Sequence, residues 1–96
     1  MSYNHKVHAN RANTITNFKK AQSHIARILK MLDDDAYCVD IMQQNLAVVG
    51  LLKSAHQMLM EDHLHACFES AMQSNDDAKK AEMVEEILKV TKLLNK

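Results

Sequence analysis

From Ala36 to Met72 the chain runs without a proline and with a single glycine, Gly50, and apolar residues recur along the whole stretch. Nothing in it forces a helix to stop. The apolar positions Ile41, Met42, Leu46, Val48, Val49, Leu51, Leu52, Ala55, Met58, Leu59 and Met60 cover more than one helical face, as in a helix buried on several sides. The two cysteines lie near the ends of this stretch, Cys38 at its start and Cys67 in His63-Leu64-His65-Ala66-Cys67. Residues four apart share a helical face, so His63 and Cys67 direct an imidazole and a thiol at one spot, while His65 points elsewhere. In one continuous helix, the offset from Cys38 to His63 amounts to roughly 38 Å. One chain then cannot bring the three side chains together. Two antiparallel copies can: Cys38 of each meets His63 and Cys67 of the other, giving two equivalent sites about a two-fold axis.

The rest of the chain reads as helix on either side. Ile15, Phe18, Gln22, Ile25, Ile28/Leu29 and Leu32 form one apolar stripe. Asn13 or Thr14 can start its regular part, with a helix that begins earlier. Asp33-Asp34-Asp35 ends it, since acids are unfavourable at a helix C-terminus and favourable before the next N-terminus. Asp35 is the expected N-cap of the second helix, which places Cys38 at its third position, beside free backbone N–H groups that suit a ligand or reactive thiol. Gly50 is unfavourable at mid-helix by about 1 kcal/mol relative to alanine, and a close helix crossing would account for it. Ser74-Asn75-Asp76-Asp77 is a turn and N-cap cluster, and Val84, Ile87, Leu88, Thr91 and Leu94 stripe a third helix. The expectation is an all-α chain, residues 1–96 as one domain, with helices at about 5–32, 36–72 and 77–95.

A chain this small buries little core alone, so oligomerisation is a natural completion. No apolar run approaches a membrane span, and Met1-Ser2-Tyr3-Asn4-His5-Lys6 is no signal peptide. Two cysteines without an export signal point to the reducing cytoplasm. The net charge is zero but uneven: residues 1–32 carry +6, residues 33–77 carry −8 and residues 78–96 carry +2. A basic first helix suits an anionic partner such as DNA, or neutralises the acidic segment of its own oligomer. No nucleophile–base set, phosphate loop or carboxylate pair is visible, so the chain does not read as an enzyme.

Two thiols and one imidazole make a soft, low-coordinate donor set. Such a set selects Cu(I), whereas structural zinc normally takes four ligands. The alternative is two buried core cysteines and a surface histidine. His5 and His8 could form an accessory metal site or belong to a solvated tail. His24 and His56 have no paired ligand, and the methionines read as core filling.

The run Asp34-Asp35-Ala36-Tyr37-Cys38-Val39-Asp40-Ile41, with Gln44, Ala47-Val48, Glu61-Asp62-His63 and Cys67, resembles the copper-sensing branch of the CsoR/RcnR family over about residues 14–96. The resemblance implies a three-helix protomer, an antiparallel four-helix-bundle dimer core, and a disc-shaped tetramer that is a dimer of dimers. It also implies one Cu(I) per protomer, held by Cys38 of one subunit and His63 and Cys67 of its partner. Tyr37 matches a family tyrosine, and Glu86, or Glu85 beside it, matches a third-helix glutamate. Together these residues link copper to DNA release through hydrogen bonds that orient the ligating histidine.

The first helix departs from the family pattern. Where DNA-binding members carry Arg-x-x-Arg-x-x-Gly-Gln-x-x-Gly, this chain reads Asn17-Phe18-Lys19-Lys20-Ala21-Gln22-Ser23-His24-Ile25-Ala26-Arg27. Lysine neutralises phosphate but lacks the two-pronged fork of arginine, and asparagine neutralises nothing. Lys19, Lys20, Arg27 and Arg11 remain as candidate DNA contacts. Two functions are therefore expected in competition. One is a cytoplasmic copper-responsive repressor that Cu(I) releases from operator DNA. The other is a Cu(I) buffer, store or chaperone of the same fold that has lost DNA binding.

Overall fold

The computed structural model describes residues 8–94. His5 and the parts of the first and third expected helices beyond these bounds lie outside the described residues. Every element within them is helical: α1 (Arg11–Asp33), α2 (Cys38–Asp62), a π-helical segment (His63–Phe68), α3 (Glu69–Met72) and α4 (Asp77–Leu94). The all-α expectation holds. Two compact units are formed, one of residues 9–62 and one of residues 63–94 with His8.

The first unit is the α1–α2 hairpin. Along α1 the side chains turned inward recur as Thr14, Asn17, Ala21, His24, Ile28 and Met31; along α2 they recur as Ile41, Gln44, Val48, Leu51, Ala55, Met58 and Asp62. This alternating three–four spacing is that of paired helices. The α1 side of the seam is small and partly polar. Ala21, Val48 and Ala55 are buried along it, with Ala55 fully covered. His24 Nδ1 lies 3.2 Å from Gln44 Oε1, and Asn17 Nδ2 donates to the Leu51 carbonyl at 3.5 Å.

The stripe that periodicity marks on α1 is a different face. Ile15, Phe18, Ile25, Leu29 and Leu32 stay exposed, Leu29 at 63%, and only Ile28 turns toward α2. On α2, Met42, Leu46, Val49 and Leu52 are exposed as well, Leu46 at 67%. No large side chain among the described residues is fully buried. Gly50 is also on an exposed face, and a Cβ there would meet nothing within 4 Å, so no crossing among the described residues requires the glycine.

The connection between α1 and α2 corrects the expected cap. Asp35 does not cap α2; it adopts a left-handed backbone with φ 55°. Its N–H donates to the Leu32 carbonyl at 3.3 Å, and the Ala36 N–H reaches the Met31 carbonyl at 2.9 Å. This is the Schellman closure of α1, in which Asp35 takes the place glycine usually fills. Aspartate tolerates the left-handed region better than most residues, so the acid serves the end of one helix instead of the start of the next. Tyr37 takes the N-cap position, its carbonyl accepting from Asp40 N–H at 3.0 Å and Ile41 N–H at 3.2 Å. Cys38 is therefore the first residue of α2 rather than its third.

In the second unit, Ala66, Cys67, Ala71 and Met83 are buried. The turn before α4 behaves as its composition suggests: Asp76 Oδ1 accepts the Lys79 N–H at 3.0 Å, an N-cap bond, and Ser74 Oγ donates to the Ala71 carbonyl at 2.6 Å. Met83, not the Val84–Leu88 stripe, is the covered residue of α4; Val84 and Leu88 are exposed and Ile87 is half-buried.

Candidate metal centre

The donors of the predicted site sit on two kinds of backbone. His63 opens the π-helical segment and Cys67 lies within its single turn. In a π-helix the hydrogen bond runs five residues back, so residues four apart still stand on one turn, and such segments recur at functional sites. His63 is half-buried and Cys67 is 7% exposed. His8 is half-buried too, with Nε2 3.9 Å from Cys67 Sγ. A ring nitrogen this close to a sulfur is the kind of neighbour that orients a metal-binding group. Sequence spacing alone could not find this pair, because the two residues are far apart in the chain and His8 precedes the first helix. His65 turns out to solvent and pairs with Glu69 Oε2 at 3.5 Å, away from any shared face with His63.

Cys38 stands exposed at the start of α2, and Cys67 is buried. Among the described residues, no three His, Cys, Asp or Glu side chains of the single chain gather into a group that could hold a metal. Tyr37 is exposed immediately before Cys38, and Glu85 and Glu86 are exposed on α4, lining a shallow cleft with Glu82, Leu88, Lys89 and Lys92.

The remaining histidines divide. His24 belongs to the hairpin seam through Gln44. His56 is half-buried, and its Nε2 is covered without a hydrogen-bond partner among the described residues. Lys19, Lys20, Arg27 and Lys30 of α1 share an exposed face, Arg11 is exposed at the helix start in line with the Ile15–Leu29 stripe, and Lys30 pairs with Asp34 at 3.2 Å. Asn17, which stands where DNA-binding relatives of this pattern carry arginine, is turned to α2 by its bond to Leu51.

A tie that the sequence did not reveal joins the two ends of the hairpin. The Asn10 N–H donates to Asp62 Oδ1 at 3.1 Å, and Asn10 Nδ2 donates to Glu61 Oε2 at 3.1 Å. Two carboxylates from the end of α2 thus lie at the start of α1, whose first turn has no acid of its own.

No helix among the described residues is long and apolar enough to cross a membrane. The family model described as "metal-sensitive transcriptional repressor" matches residues 10–93. The copper-sensing transcriptional repressor CsoR of Bacillus subtilis is 32% identical over 93 residues, which are 97% of this chain and 89% of that protein. The protein of the same name from Mycobacterium ulcerans is 35% identical over 68 residues, 71% of this chain and 58% of its own length. That from Mycobacterium tuberculosis H37Rv is 38% identical over 58 residues, 60% of this chain and 49% of its own. The chain thus spans about half the length of these mycobacterial relatives. With the match running from Asn10, the residue just before α1, to the last turn of α4, this all-helical chain belongs to the family of metal-sensitive transcriptional repressors.

Proposed function

We propose that the chain is a copper-responsive repressor that binds operator DNA without Cu(I) and leaves it when Cu(I) binds. The observation that carries this reading is the donor set. His63 and Cys67 stand on one π-helical turn, and Cys38 is an exposed second cysteine at the first residue of α2. Two thiols and one imidazole fit a soft monovalent ion and leave a tetrahedral zinc site one ligand short. The site is assembled from two chains, Cys38 of one protomer with His63 and Cys67 of its partner. When bound, the ion supplies a bond between subunits at one ion per protomer. Tyr37 and Glu86 orient the histidine and link the site to the DNA-binding surface.

The exposed apolar faces of α1 and α2 supply the oligomer. Each large side chain taken from water on association contributes on the order of 1–2 kcal/mol, and faces of this extent on a small chain mark an interaction surface. The dimer is the antiparallel four-helix bundle, two of which make the tetramer, with Gly50 allowing close approach of a partner helix. Lys19, Lys20 and Arg27 then meet phosphate on the remaining face of α1, with Arg11 at its N-terminus, in the cytoplasm where the DNA is. The test is a titration of the apo protein onto its own upstream DNA at two salt concentrations, with and without one Cu(I) per protomer. Specific binding lost on adding Cu(I) supports the repressor. Tight Cu(I) binding with no specific DNA binding in either state would instead make the protein a Cu(I) buffer or chaperone.

A further inference from the structure

Asp62 is the most deeply placed carboxylate among the described residues, 4% exposed, yet only one of its oxygens is used. Oδ1 accepts the Asn10 N–H; Oδ2 is covered and has no hydrogen-bond partner among the described residues. A half-satisfied buried carboxylate is unfavourable, so its place needs a reason. Two neighbours in the chain supply one. Asn10 immediately precedes Arg11, the first residue of α1 and an exposed cation, and Asp62 immediately precedes His63, the first residue of the π-helical segment. The hydrogen bond therefore joins the residue before the exposed Arg11 to the residue before the candidate ligand.

We propose that Asp62 is a positioning residue, a latch through which metal occupancy at His63 and Cys67 is felt at the N-terminus of α1. The inference rests on the metal-responsive reading above. With no ion bound, Asp62 Oδ1 holds the Asn10 N–H, and Glu61 holds the Asn10 amide, so the first turn of α1 is anchored and Arg11 is presented in a fixed place. Ligation through His63 re-sets the backbone next to Asp62. The carboxylate, with Oδ2 already unpartnered among the described residues, then gives up its hold on Asn10. The start of α1 loosens, and the Arg11 contact to phosphate goes with it.

The experiment is amide hydrogen exchange of Asn10 and the first turn of α1 in the full chain, with and without one Cu(I) per protomer, alongside DNA binding. In the unsubstituted protein, Cu(I) is expected to lower Asn10 protection on the order of tenfold, a change in the range of ordinary site-to-site coupling. Asp62→Ala is expected to leave Asn10 unprotected in both states and to make DNA affinity insensitive to Cu(I), while Cu(I) affinity stays within about threefold, well below the coupling range. Asp62→Asn, which keeps the shape and an acceptor oxygen, is expected to restore the Cu(I) response of Asn10; a residue that merely supported the fold would not separate these readouts. Equal or greater Asn10 protection with Cu(I) bound to the unsubstituted protein overturns the latch, whether or not Asp62→Ala folds. Exchange that responds while DNA binding does not would keep the latch and overturn the repressor. A chain that binds no Cu(I) would overturn both.

Discussion

His24 and Gln44 face each other across the middle of the α1–α2 hairpin, Nδ1 to Oε1 at 3.2 Å, in a seam otherwise lined by small and medium side chains. The pair is half-buried, so its value lies mostly in each partner satisfying the other. Replacing His24 with leucine strands the Gln44 amide and should destabilise the protein by about 1–2 kcal/mol. Adding Gln44→Leu should recover most of that loss. Urea denaturation of both single variants and the double variant checks this; additive losses would contradict the pairing.

Asp35 closes α1 in a left-handed conformation, so glycine should serve better there. Asp35→Gly is expected to stabilise by about 0.5–1 kcal/mol, because the Cβ penalty at φ 55° is removed. Asp35→Val, a branched residue in the same place, should destabilise by more than 1 kcal/mol or so. Were Asp35 the cap of α2 instead, both substitutions would destabilise, and thermal melts distinguish the two patterns.

Asp76 caps α4 through the Lys79 N–H. Asp76→Ala should cost about 1 kcal/mol, and Asp76→Ser should restore most of it. Asp77→Ala, one residue on, removes a side chain that is exposed and not the cap, and should change stability by less than about 0.5 kcal/mol.

Leu46 is 67% exposed in the single chain. On an isolated chain Leu46→Glu would be a surface change worth within about 0.5 kcal/mol. If this face seats a second copy, the same substitution should drive the protein to monomer at micromolar concentration and lower its stability together with its mass. Sedimentation of both proteins over a range of concentrations reads the difference.

Periodicity located the helices because helical spacing survives whatever the helix packs against. Ile15, Phe18, Ile25 and Leu29 were legible as a stripe, and Cys38 was legible as lying far along the helical stretch from His63 and Cys67. What periodicity does not say is which neighbour covers a face. The side of α1 turned to α2 is the smaller and more polar one, through Asn17, Ala21 and His24, while the apolar stripe is left outside. Three acids in a row suit a helix end and a helix start alike, so Asp35 could not be assigned without its backbone angle. The π-helical segment carries no glycine or proline to announce it. The Asn10–Asp62 tie and the approach of His8 to Cys67 depend on chain ends meeting, which local pattern does not encode. In the first helix, Asn17 reads as a lost phosphate contact by analogy and as a hairpin contact by position.

The measurement that bears most directly on a copper centre shared between chains is a mixing experiment. Cys38→Ala chains and His63→Ala/Cys67→Ala chains are each titrated with Cu(I) against a competing chelator, alone and after being unfolded and refolded together. Neither should hold the ion tightly alone. The mixture should regain about a quarter of full occupancy, because half of the pairs formed are mixed and each mixed pair rebuilds one of its two sites. No regained binding, with mixed pairs shown to have formed, would mean that the three residues do not meet across two chains.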